Sequence, residues 1–119
     1  MGKIIEGPWG VIDISRDVIA KLAGIATTEC FGIVGMVSAR KFSDGISELL
    51  GHEALSKGVE VNIKDGMLQI RVNIVISYGI NIPVIADNVI ERVRYIVESH
   101  IGTKVDLVEI NVREVRVVD

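Results

Sequence analysis

Two alternating runs around Asp65-Gly66, two stretches with helical apolar periodicity, and an apolar content carried almost wholly by Ile and Val predict an α+β domain. The expected form is a two-layer sandwich. It has a mostly antiparallel four-stranded sheet with two helices on one face, in the order β-α-β-β-α-β. At 119 residues the chain is expected to be a single domain over 1–119. Hydrophobic residues reach 49% and aromatics only 4%, so β-branched side chains must build the core, which favours strands and stiff packing. A mean hydropathy of +0.43 exceeds what one sheet face and two helices need, and points to apolar surface buried between subunits.

The elements follow in order. Gly10 to Ile14 reads as the opening strand of the sheet. Ser15 is then a helix N-cap, with Asp17 in the first turn where negative charge suits the dipole. Val18, Leu22 and Ile25 form a stripe that Ile19, Ala23, Ala26 and Cys30 widen. Gly24 within that helix is expected to mark a close approach to the sheet, and Gly32 a C-terminal stop. The segment at about 37–57 loses periodicity and is expected to be a flexible, exposed insertion, disordered around Arg40 to Asp44, with a helical turn over Ile46 to Leu50.

The next two strands have a fixed register. With Asp65 and Gly66 at the tip, Val59 faces Val72, Val61 faces Ile70 and Ile63 faces Leu68 on the inner face. Glu60 then faces Arg71 and Asn62 faces Gln69 on the other, which is expected to meet water along with Lys64, Asn73 and Ser77. A second helix starts near Asn81 with Pro83 in its first turn and ends at Gly102. Its polar face offers Glu91–Arg94 and Arg94–Glu98 pairs. A last strand places Val108, Ile110 and Val112 inward. The apolar parity then switches to Val115 and Val117, which calls for a bulge near Arg113-Glu114 or an exposed apolar tail.

Charge and composition exclude several function classes. The net charge is −3 and the pI about 5.4, so no basic field gathers nucleic acid. No apolar run approaches the roughly 18 residues of a membrane span, so no direct membrane insertion is expected. The start has no signal-peptide pattern, and a single cysteine, Cys30, suits a reducing cytoplasm. Cys30, His52 and His100 lie on separate elements without zinc spacing, so no metal is expected. The acid pairs Glu48/Glu53 and Glu109/Glu114 alternate with basic and amide residues, as solvated faces do. No phosphate-binding glycine motif occurs. No catalytic residue and no cofactor are expected, and the chain is read as not an enzyme.

Several segments together resemble the alkaline shock protein family of Gram-positive bacteria, also called the Gls general-stress or envelope stress response family. They are Gly10-Val11-Ile12-Asp13-Ile14-Ser15; Gly32-Ile33-Val34-Gly35-Met36; Gly58-Val59-Glu60-Val61; Asp65-Gly66; Tyr78-Gly79-Ile80-Asn81-Ile82-Pro83; and Val93 through Gly102 into Val105. The length is similar to that of the short housekeeping members. The resemblance implies a non-enzymatic cytoplasmic scaffold or adaptor linked to cell-envelope stress or homeostasis. It would act by self-association and through protein partners, and reach the membrane only through a membrane-anchored partner. The residues themselves offer Ile33, Val34, Met36, Val115 and Val117 as contact candidates for a homo-oligomer. The alternative is a small apolar-ligand or acyl-chain binding module, with the 37–57 segment as a lid.

Overall fold

The computed structural model describes residues 2–40 and 48–117. Along the chain, β1 (Lys3–Gly7) and β2 (Gly10–Ile14) precede α1 (Arg16–Thr28), β3 (Ile33–Met36) and a 3₁₀ helix (His52–Gly58). Then come β4 (Val59–Lys64), β5 (Met67–Ser77), α2 (Ile82–Ile101) and β6 (Val105–Arg116).

The β4–β5 hairpin has the expected register throughout, from Val59↔Val72 to Lys64↔Met67. Its turn puts both Asp65 (φ 52°) and Gly66 (φ 79°) in the left-handed region, the geometry that Asp-Gly supplies at least cost. α2 also begins and ends where its caps stand. The Asn81 side chain accepts from Val84 N (3.1 Å), and Gly102, at φ 79°, donates its N–H to Glu98 O (2.9 Å).

The sheet differs from the one expected. β5 is its axis: β4 pairs antiparallel with residues 67–72 and β3 antiparallel with 74–76, both along one edge. β6 runs parallel to the other edge from Leu68 to Ser77. The parallel pairing follows from topology, because β5-α2-β6 is a helical crossover between neighbouring strands. The opening strand, Gly10–Ile14, is not in this sheet at all. It pairs with Lys3–Gly7 in a separate two-stranded ribbon. The signal for this was Gly7-Pro8-Trp9-Gly10, whose proline suits the first central position of a tight turn.

α1 and α2 cover one face. Ile19, Ala23 and Ala26 of α1 and Val89, Val93 and Val97 of α2 meet Leu68, Ile70, Val72, Ile74 and Ile76 of β5. α1 is rotated from the expected stripe: Val18 is exposed, Leu22 and Ile25 are half-buried, and the small side is innermost. The small side lets another element come close, and that element is not the sheet. A Cβ added at Gly24 would stand 3.0 Å from Leu55 Cβ, on the 3₁₀ helix.

The 37–57 segment is therefore anchored where it is described. Val37 and Leu55 are buried, and Leu50 N donates to Met36 O (2.8 Å). Residues 48–50 are not helical, and the helical turn comes later, at His52–Gly58. Most of Arg40 to Asp44, and Ile46 and Ser47 of the expected turn, lie outside the described residues.

Asn73 is another correction. Expected on the wet face, it is fully buried where β3 stops and β4 begins along β5. Its Nδ2 donates to Gly58 O (3.0 Å), its Oδ1 accepts from Arg113 Nε (2.9 Å), and its carbonyl accepts from Val37 N (3.3 Å). One amide bridges the gap in the ladder. Arg113 reaches it because it is the extra residue of a bulge between Val112 and Glu114, at the expected position.

Asn73→Ala is expected to lower stability by about 2–3 kcal/mol, because it strips both side-chain bonds from buried surroundings. The urea midpoint measures it. Gly24→Val should lose about 1–3 kcal/mol by forcing Leu55 outward. The loss should shrink in a Gly24→Val, Leu55→Ala double variant, which a double-mutant cycle reads directly.

Candidate interaction surfaces

Among the described residues, the core contains Ile, Val, Leu, Met and Ala, and no aromatic ring. Trp9, Phe31, Tyr78 and Tyr95, all the aromatics among the described residues, are at least 65% exposed. Large rings normally carry much of a core, and they concentrate at contact surfaces. Three of these four belong to two apolar regions at opposite ends of β5.

One region lies at the Ser77 end. Ser77 N donates to Gly32 O (3.0 Å) and Tyr78 N to Arg116 O (2.8 Å), so three chain segments are tied together there. Ile33, Ile76 and Val115 lie in register across the sheet. This arrangement leaves Phe31 (80% exposed), Tyr78 (70%) and Val117 (78%) outside, with Val115 half-exposed beside them. The Arg113 bulge returns Val115 to the helix face, yet that position lies at an uncovered edge. Bulge and exposed apolar end therefore both occur.

The other contact candidates divide. Ile33 and Val34 are half-buried in β3, within reach of the same end. Met36 is fully buried, paired with Ile74 in the core, and so is no contact residue. The sequence reading missed Phe31 and Tyr78. The available signal was that each ring is followed by a glycine, Gly32 or Gly79, and both glycines prove to take positive φ (87° and 90°) where the chain turns.

The β1–β2 ribbon lies at the opposite end, held near the β4–β5 turn by Lys3 Nζ donating to Gly66 O (3.1 Å). Ile4, Val11, Ile12 and Trp9 are exposed on it. Alongside β4, a half-open groove of about 710 Å³ is lined by Arg16, Asp17, Lys57, Glu60 and Arg71 among others. Among the described residues, neither the outer edge of β4 nor that of β6 pairs with another strand.

The titratable candidates are scattered. Cys30 is half-buried, its Sγ lies 3.5 Å from Ala26 O, and burial raises its thiol pKa despite the nearby Arg92. Such a thiol is poorly nucleophilic at neutral pH. His52 and His100 are exposed; His100 Nδ1 lies 2.8 Å from Ile96 O. Glu109 pairs with Arg71 at 3.1 Å, and Glu114 with Arg116, whose hydrogen bond holds the Glu114 carboxyl below the usual carboxylate range. Among the described residues, no three His, Cys, Asp or Glu side chains gather to hold a metal, and no helix is long and apolar enough to cross a membrane.

Known proteins place the chain clearly. It is 45% identical over 109 residues to YloU of Bacillus subtilis, covering 92% of this chain and 91% of that one. A protein of Streptococcus pyogenes serotype M6 is 39% identical over 92% of this chain and 90% of its own. YqhY of Bacillus subtilis is 35% identical over 71% of this chain and 62% of its own. No solved structure matches significantly. The family model for alkaline shock protein 23, described by a cell envelope-related function, matches residues 5–117, and the chain belongs to that family.

Proposed function

We propose that this protein is a non-enzymatic cytoplasmic scaffold or adaptor serving the cell envelope, working by self-association and through protein partners. A membrane-anchored partner would bring it close to the membrane. The observation that carries the reading is the outward placement of the described aromatics, above all Phe31 and Tyr78 gathered with Val115 and Val117 at one end of the sheet. A folded chain that spends its rings on the surface has apolar area to offer another protein. Among the described residues, the outer edge of β6 beside that patch pairs with no other strand, and folded proteins ordinarily pair, cover or guard such an edge with charge. The cell envelope-related description of the family supplies the setting. An acyl-chain module is the weaker reading, because such a ligand calls for an enclosed apolar chamber and the β4 groove is half-open and charged.

Light scattering at micromolar concentration should find the protein larger than its 13.0 kDa monomer. The Val115→Asp, Val117→Asp double variant should shift it towards the monomer, by burying a carboxylate wherever that patch is covered. An unchanged circular dichroism spectrum would show that the fold survives. A strictly monomeric parent sinks the scaffold reading.

A further inference from the structure

The β1–β2 ribbon is the least supported element of the fold. Two five-residue strands that pair, among the described residues, only with each other are marginal in water, and this pair leaves much of its apolar surface uncovered. Ile5 lies opposite Ile12 on one face. The other face carries Glu6 opposite Val11 and Ile4 opposite Asp13, so both carboxylates share it. At the turn, Trp9 is 98% exposed. A single residue, Ser15, joins the ribbon to α1.

Among the described residues, the body of the molecule offers a sheet edge of the matching kind. The outer edge of β4 is unpaired among the described residues, and the 710 Å³ groove runs beside it. β4 has six residues and β2 five, so one can lie along the other. The groove wall includes Arg16, Arg40, Lys57 and Arg71 against Asp17 and Glu60. Arg71 is engaged by Glu109, which still leaves cations in excess of carboxylates. A strand flanked by acids suits that wall.

We infer that the N-terminal ribbon of one copy docks in the β4-edge groove of a second copy, extending its sheet and placing Glu6 and Asp13 against Arg16 and Lys57. The inference rests on the self-association proposed above and names a surface for it distinct from the Val115–Val117 end. Sheet-edge addition draws its affinity from main-chain hydrogen bonds, and charge sets which strand is accepted. A ribbon laid over this edge buries on the order of 1,000 Å² with both sides counted, the lower bound for a specific contact. A reciprocal exchange closes as a dimer, and a one-way exchange propagates.

Trp9 is the one tryptophan of the chain, so its emission reports on the ribbon alone. In the full-length protein, raising the concentration through the micromolar range should shift that emission to the blue in step with the rise in mass. Arg16→Glu with Lys57→Glu should weaken association about tenfold and abolish the shift at matched concentration. Adding Glu6→Lys and Asp13→Lys to that variant should restore both. Emission that stays red while the parent assembles, or a groove variant that changes neither mass nor emission, overturns the docking. So does a blue emission independent of concentration in a monomer, which would mean that the ribbon covers its own chain. An assembled parent that dissociates with Val115→Asp, Val117→Asp while Trp9 stays exposed removes this inference and leaves the scaffold reading standing. A monomeric parent removes both.

Discussion

Everything in the sheet is referred to β5, because this one strand has both edges filled along nearly its whole length. Each partner arrives by a different route. β4 is delivered by a two-residue turn, β6 by a helical crossover and β3 by the chain leaving α1. A two-residue turn leaves β4 no freedom of register, and β4 covers only half of β5. The remaining half has to be completed by β3, and the two strands meet end to end at Asn73. Ladder hydrogen bonds cannot continue through such a junction, so a buried side chain takes them over. Asn suits the place because it carries donor and acceptor together, one for Gly58 O and one for Arg113.

The far edge depends on α2. The side chains expected to pair along its polar face, Arg94 and Glu98, reach beyond the helix. Arg94 donates to Val105 O (2.8 Å) and Glu98 accepts from Val105 N (2.9 Å). Both backbone groups of the first β6 residue are therefore held by the preceding helix, and Gly102 makes the reversal possible with its positive φ. From that fixed start the strand runs parallel to β5, shifting register at Asp106 and again at the Arg113 bulge. The bulge both delivers Arg113 to Asn73 and returns Val115 to the helix side. Core satisfaction and surface presentation thus depend on the same inserted residue.

What was legible in the sequence was what short-range chemistry decides. Asp65-Gly66 allows one register, Asn81 and Gly102 bound α2, and the parity change after Val112 marks a bulge. Three of the misreadings share a cause: each concerned which partner an element takes. Gly10 to Ile14 is a good strand, but alternation alone does not say whether it pairs with a sheet or with its own neighbour. Gly24 is a close approach in either case, and the element that approaches is the 3₁₀ helix. Asn73 has the polarity of a solvent-facing residue and differs from Gln69 and Arg71 only by lying opposite a junction. For the candidate surfaces, Val115 and Val117 were visible as lost parity. Phe31 and Tyr78 were marked only by the glycine after each, because their exposure follows from backbone reversals that bring distant segments together.

The division of labour between aliphatic and aromatic side chains follows from this architecture. α1 packs with Ala20, Ala23, Gly24 and Ala26 on its inner side, so helix and 3₁₀ helix approach too closely to admit a ring. β5 opposes them with Leu, Ile and Val, whose branched stems suit a thin, closely packed layer. A ring inserted there would force the layers apart at a cost of about 1–3 kcal/mol. Three of the four described aromatics, Trp9, Phe31 and Tyr78, stand instead at the turns at either end, and Tyr95 is exposed on α2. A chain with a dense aliphatic middle and apolar ends is suited to contacts at its ends. That is why the proposed role is argued from surfaces: the described core is built of aliphatic side chains, and the extremities expose the rings it does not contain.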